Sequence, residues 1–265
     1  MNGEANPPSA SMPAGGPSKP LRVQGVLFDL GETLMQFGDV DLPKVFEQGT
    51  RLAYQRLLKW GLKPPTFHKY HRHKLLAVRW NHFKCRLTGR EFNSLDVLDR
   101  LNRRSGIRLT RAQSLELADL WYQPLRQCAS VDPEAIRTLE ALREDGLTLG
   151  LVSNTFIAAE VLDRHLQSHG LLDLLPVRVY SCEVGFRKPR PQIFRAALER
   201  SGLSARQTLF VGDNLRADVY GANRMGMISV LIDPLGRHRR PRHRPRHRIG
   251  RLAEIRQIVA RYNGG

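Results

Sequence analysis

Cysteine is scarce. Cys85, Cys128 and Cys182 are the three in 265 residues, too few and too scattered for a disulfide framework or a cysteine zinc site. A reduced, cytoplasmic setting is expected. No apolar run approaches the roughly 18 residues of a membrane span, so no membrane role is expected either. The first twenty residues, rich in Pro, Gly, Ser and Ala, lack any apolar segment; they read as a disordered leader and not as a signal peptide. No internal repeat is visible.

Positive charge is plentiful, and it is uneven. The formal net charge is +17. Residues 41–130 hold 18 Lys and Arg against 7 Asp and Glu, and residues 237–248, RHRRPRHRPRHR, hold seven arginines and no acid. The remainder is close to neutral. The prolines at 241 and 245 forbid a regular helix in the tract, which predicts an exposed, extended loop. Its arginines suit nonspecific adhesion to a polyanion, but it has no interleaved aromatic residues for specific nucleic-acid recognition.

Five short apolar runs share one grammar: VLF (Val26 to Phe28), LTLGLVSN (Leu147 to Asn154), VRVYS (Val177 to Ser181), TLFVGDN (Thr208 to Asn214) and ISVLID (Ile228 to Asp233). Helical stretches separate most of them, the pattern of a Rossmann-like parallel sheet with crossover helices, hence an α/β core over 21–38 and 130–265. Between 39 and 129 the strand signal vanishes. Helical spacing from Leu42 to Trp60, then over 67–87, 94–104 and 111–127, predicts an inserted all-helical cap. Trp60, Trp80 and Trp121 are expected to pack inside it. His68, His71, His73 and His82 have no spacing that imposes metal geometry and are expected to face solvent.

Ligands of open parallel sheets bind beyond the carboxyl ends of the strands. Asp29, Ser153 and Asp213 each stand at such an end, so neighbouring strands would gather them into one crevice. A carboxylate attacking a phosphate dianion meets about 4 kcal/mol of repulsion per charge pair at about 4 Å and an effective dielectric of about 20. Cations are therefore required. Lys188, in GFRKPRPQIF, supplies one; Asp29 with Asp213 could hold a hard divalent ion, most plausibly Mg2+. Ser153 and the backbone N–H groups around Asn154, at the start of a helix expected over 157–166, could grip phosphate oxygens.

These pieces resemble the haloacid dehalogenase (HAD) superfamily, in particular a phosphatase-like member with a helical cap inserted after the first motif. FDLGET looks like the first motif, LVSN the second, GFRKPRPQIF the third and VGDNLRADVYGANRMGM the fourth. The resemblance covers about residues 24–233. It implies that Asp29 forms an aspartyl-phosphate, that Ser153 and Asn154 bind the phosphoryl group, and that Lys188 links nucleophile and phosphate. It also implies Mg2+ on Asp29, Asp213 and the Gly31 carbonyl, with Asp218 in support, and a small phosphorylated metabolite as substrate.

Gly31 departs from the family pattern. Most family phosphatases have a second aspartate there, which protonates the leaving oxygen, a contribution worth about 100-fold to 10,000-fold. Glycine keeps only the carbonyl. Dehalogenase or phosphonatase chemistry is thereby opened as a minor alternative, although none of the lysines from Lys44 to Lys84 stands in a context that marks it for a Schiff base. A further reading is a non-catalytic protein whose basic cap and loop bind RNA or another polyanion. Oligomeric state is not legible.

Overall fold

The computed structural model describes residues 22–238 and 242–264. The expected leader, residues 1–20, and residues 239–241 of the arginine tract lie outside the described residues. Six strands, β1 Gly25–Phe28, β2 Thr148–Ser153, β3 Val177–Tyr180, β4 Thr208–Gly212, β5 Ile228–Ile232 and β6 His247–Ile249, form one parallel sheet in the order β3-β2-β1-β4-β5-β6. The fold is α/β and Rossmann-like. In the middle, Phe28 of β1 pairs in register with Leu151 of β2 on one side and Val211 of β4 on the other.

Side chains alternate across a strand, and the near-continuous apolar runs follow from burial of both sheet faces. Val26 and Phe28 point into one core with Leu149, Leu151, Leu209 and Val211, whereas Leu27, Val152 and Phe210 point into a second core on the opposite face. Phe28 is 0% and Phe210 1% exposed, each worth about 1.5–3 kcal/mol of transfer free energy.

Helices α1 Leu42–Lys59, α2 Phe67–Thr88, α3 Ser94–Arg104 and α4 Arg111–Gln127 follow β1. Their ends have local causes. Asp41 accepts from the Lys44 N–H at 3.2 Å, Asn93 from that of Leu95 at 2.9 Å, and Thr110 forms a reciprocal capping box with Gln113. The left-handed Gly89 stops α2. Helices α1 and α4 pack so closely that a Cβ on Gly49 would overlap the Trp121 carbonyl.

The chain enters and leaves this helical segment through two connectors that bond to each other. Gln36 donates to the Ser130 carbonyl at 2.9 Å and Ser130 to that of Gln36 at 2.8 Å. Then come α5 Pro133–Glu144, α6 Ala159–Ser168, α7 Ser181–Val184, α8 Pro191–Ser201, α9 Gly221–Arg224 and α10 Ile255–Asn263.

Several expectations need correction. The arginine tract is not a loop throughout: His247 and Arg248 belong to β6, paired parallel to Val230 and Leu231 of β5. The helix expected from Ile157 starts at Ala159, because Ile157 itself turns into the core. Trp121 is buried and stacks on Phe46 at 5.1 Å, but Trp80 is 57% exposed and stacks on the equally exposed Phe83. His68 and His73 are exposed, whereas His71 and His82 are half-buried.

Candidate active site

Asp29 leaves the end of β1 with its N–H on the Val211 carbonyl at 2.9 Å, which fixes it at the carboxyl edge of the sheet. Across the crevice, Lys188 Nζ lies 2.6 Å from Asp29 Oδ1 and 2.8 Å from Asp218 Oδ1. The side chains of Lys188 and Asp218 are each 1% exposed and that of Asp29 15%. Asp213 completes the group: ligand oxygens of Asp29, Asp213 and Asp218 lie within 4.8 Å of one another.

Each residue is held by its local chain. Asp218 sits in a wide π-helical turn, Leu215–Tyr220, and its Oδ2 accepts from the Asn214 N–H at 3.0 Å. A Cβ on Gly212 would overlap the Asp218 carboxyl, so the glycine that ends β4 makes the space for it. Asn154 spends both ends of its amide on the Lys188 main chain, accepting from the Lys188 N–H at 2.7 Å and donating to its carbonyl at 3.2 Å. The Lys188–Pro189 peptide that follows is cis.

Burial and charge explain the proton affinities. Burial pulls Lys188 down, but the Asp218 and Asp29 carboxylates outweigh it and its pKa is raised. Burial and then the Asp29 charge push Asp213 up to about 6, against Lys188. Burial also raises Asp218, with Lys188 opposing. Three carboxylates face one ammonium, which leaves a formal charge of −2 in a largely buried crevice. That donor set, all oxygen and two charges short, fits a hard dication.

Ser153 ends β2, is 6% exposed, and its hydroxyl makes no hydrogen bond among the described residues. The N–H groups expected around Asn154 are differently placed. Thr155 donates to Ser181 Oγ at 2.8 Å and Ile157 to Thr155 Oγ1 at 3.0 Å, and α6 begins only at Ala159. The Asn154 side chain therefore clamps Lys188, and of the N–H groups around it those of Thr155 and Ile157 are taken by side-chain oxygens. Gly31 bridges to Met35, and a Cβ on it would meet only Phe37 at 3.9 Å, so its lack of a side chain is not forced by crowding. Its neighbour Glu32 is exposed, at φ 56°, and accepts from the Phe37 N–H at 3.2 Å.

Sequence reasoning missed Glu91. Its side chain is 0% exposed, and its Oε2 takes Arg187 Nη1 at 2.7 Å and Ser181 Oγ at 2.9 Å. Around it the link between α2 and α3 pairs with the segment that carries Lys188. Glu91 donates to the Gly185 carbonyl at 2.9 Å, Arg187 to that of Gly89 at 3.0 Å, and Arg190 Nη2 to that of Thr88 at 2.7 Å. One acid two residues after a glycine in a strongly basic stretch was the only trace of this in the sequence.

Comparison with known proteins adds an independent line. A family model described as haloacid dehalogenase-like hydrolase matches residues 23–226. A glyceraldehyde 3-phosphate phosphatase of Methanopyrus kandleri is 29% identical over 216 residues, 79% of this chain and 84% of the relative. Of two other curated phosphatases that it matches, the chain spans about half the length, 50% and 55%. The structure of a HAD phosphatase from Thermococcus onnurineus superposes with a TM-score of 0.57 at 26% identity, over 89% of this chain and 98% of that one. A 2-haloacid dehalogenase from Pseudomonas syringae pv. Tomato DC3000 superposes with a TM-score of 0.60 at 23% identity, over 91% and 99%, a likeness that speaks to fold alone.

Proposed function

The chain belongs to the haloacid dehalogenase-like hydrolases, and from that membership we propose that it is a Mg2+-dependent phosphatase acting on a small phosphorylated metabolite through Asp29. The observation that carries this reading is the shared ammonium: one buried Lys188 within 2.6 Å of Asp29 and 2.8 Å of Asp218, with the Asp213 carboxylate beside them.

Asp29 is the nucleophile. Lys188 holds its Oδ1, which leaves Oδ2 to attack phosphorus; the P–O bond to the leaving group breaks, the leaving oxygen takes a proton from solvent, and water then hydrolyses the aspartyl-phosphate to free Asp29 and inorganic phosphate. Lys188 offsets the charge of the dianion as it arrives. Ser153 Oγ donates to a phosphoryl oxygen. Asp218 orients Lys188, and Asn154 fixes the main chain from which that side chain reaches. Asp29, Asp213 and the Gly31 carbonyl would hold Mg2+, with Asp218 in support. Bound there, the ion supplies the positive charge that the three carboxylates lack and shields the attacking oxygen from the phosphate.

Residues 39–129 form the cap, and their basic excess draws anionic substrates to the mouth of the site. Glyceraldehyde 3-phosphate is the first substrate to try, since a relative is named for it. The three cysteines are free, and among the described residues no helix is long and apolar enough to cross a membrane; both accord with the cytoplasmic setting we infer. The arginine tract adheres nonspecifically to polyanions.

A second reading rests on Gly31, which cannot protonate a leaving group: a protein without turnover whose basic cap binds RNA. One assay separates the two. Phosphate release with Mg2+ from a panel of sugar, three-carbon and nucleoside monophosphates, lost in Asp29→Asn, supports the enzyme. Equal background in both proteins, with salt-sensitive RNA retention, overturns it.

A further inference from the structure

A second lysine is buried far from Asp29. Lys74 on α2 is 4% exposed, and its Nζ makes one hydrogen bond among the described residues, to Asn102 Oδ1 of α3 at 3.1 Å, with the Tyr70 ring 4.4 Å away. A buried ammonium without a counter-ion is costly. The acid whose charge reaches it, Asp99 of α3, is engaged elsewhere, accepting from Ser114 and lying 3.5 Å from Arg103. Burial therefore holds Lys74 down to about 7 against the Asp99 charge.

Lys74 forms part of the wall of a cavity of about 640 Å³ between α2, α3 and the turn before α2. Lys63, Lys69, His73 and Arg104 join it there, and no lining residue is acidic. Pro64, Pro65 and Leu101 give the cavity an apolar wall. Tyr70, also 4% exposed, belongs to the same wall, and its buried hydroxyl has no hydrogen-bond partner among the described residues. One buried hydroxyl thus lacks a partner, and one buried ammonium has only a neutral amide, beside a space ringed by cations. From Lys74 to Thr88, where α2 meets the Lys188 segment, is fourteen residues of helix, about 21 Å. The cavity shares no residue with the Asp29 crevice.

We propose that this cavity is a second binding site, for a small organic phosphate with an apolar body, at the end of the helical segment remote from the Asp29 crevice. Its oxyanion meets Lys74 Nζ and the Tyr70 hydroxyl, Lys63 and Arg104 screen its remaining charge, and the prolines and Leu101 cover its apolar part. The inference goes beyond the phosphatase reading and does not depend on it.

The probe is phenylphosphonate, a non-hydrolysable organic oxyanion, titrated calorimetrically into the full-length chain in low salt. Two classes of site are expected. The exposed double reversal Lys63→Glu with Arg104→Glu is expected to weaken one class at least tenfold, leaving the other class of site in place and kcat for 4-nitrophenyl phosphate unchanged. Tyr70→Phe is expected to weaken the same class about threefold to tenfold, with Lys188→Met acting only on the other. A single class of site that Lys188→Met abolishes would overturn the proposal. So would a double reversal that titrates as the wild type does.

Discussion

Lys188 and Lys74 are equally hidden, each 4% exposed, yet their surroundings drive their proton affinities apart. Lys188 has two carboxylates within 2.8 Å and its pKa rises. Lys74 has one neutral amide within hydrogen-bond reach and falls to about 7. Burial alone lowers both. What differs is whether the fold brings an anion along, and that separates a centre completed from within the chain from one left open to a ligand.

The largest effect tests the first half of the contrast. Lys188→Met strands three carboxylates without their ammonium; phosphate release is expected to fall by at least about 1,000-fold, with a loss of about 3–5 kcal/mol of stability for the broken buried pair. Steady-state assays and urea melts read the two separately. Retained turnover would remove Lys188 from the chemistry.

Gly31→Asp comes next. A Cβ at this position would meet only Phe37, at 3.9 Å, and restoring the missing acid is expected to raise turnover of alkyl phosphates, whose leaving groups need a proton, by about 100-fold. 4-Nitrophenyl phosphate, with its good leaving group, should gain much less. Equal gains on both would mean that proton donation is not what Gly31 lacks.

Lys74→Met probes the other lysine. Replacing an unpaired buried amine with an apolar chain of similar volume is expected to raise stability at pH 7 by about 1–3 kcal/mol and to leave turnover alone. The pH dependence has a definite sign. Because the folded pKa of Lys74, about 7, lies below the unfolded value near 10.4, the native state binds fewer protons in that window and stability rises with pH across it. Lys188 works oppositely: its raised pKa gives stability that is complete below about 10.4 and lost as pH climbs through the folded value. Melting curves from pH 7 to 9 should slope upward in the wild type and flatten in Lys74→Met. An unchanged slope would show that Lys74 is charged and paired in solution.

The smallest effect concerns Glu91. Glu91→Gln keeps the shape but removes the charge facing Arg187, one residue before Lys188. Turnover is expected to drop about tenfold with KM little altered, as for a positioning residue. A change confined to thermal stability would assign Glu91 to folding alone.

The sheet was legible because buried parallel strands are written as uninterrupted apolar runs; β1 to β5 each announce themselves in this way. The strand β6 did not. Its three residues, His247–Ile249, carry one apolar side chain and gain their place by pairing with β5, a tertiary effect that no local pattern records. Asp29, Ser153, Lys188 and Asp213 stood out by type and by position at strand ends. Asn154 was legible as a residue but not in its use, since its amide is satisfied by a main chain 34 positions away. Lys74 looked like any other lysine of a basic helix. Nothing in its neighbours distinguishes it from Lys69 or Lys84, because what buries it is α3, a turn and a helix further on.

The helical segment is fastened to the sheet domain at two edges. Gln36 and Ser130 clasp one another where the chain passes out and back, while Glu91 and its neighbours grip the strip that presents Lys188. The first fastening is made by main chain alone, and the second adds a buried ion pair. Parting the two strips would cost the Glu91–Arg187 ion pair at 2.7 Å, and Arg187 is the residue next to the lysine that holds Asp29.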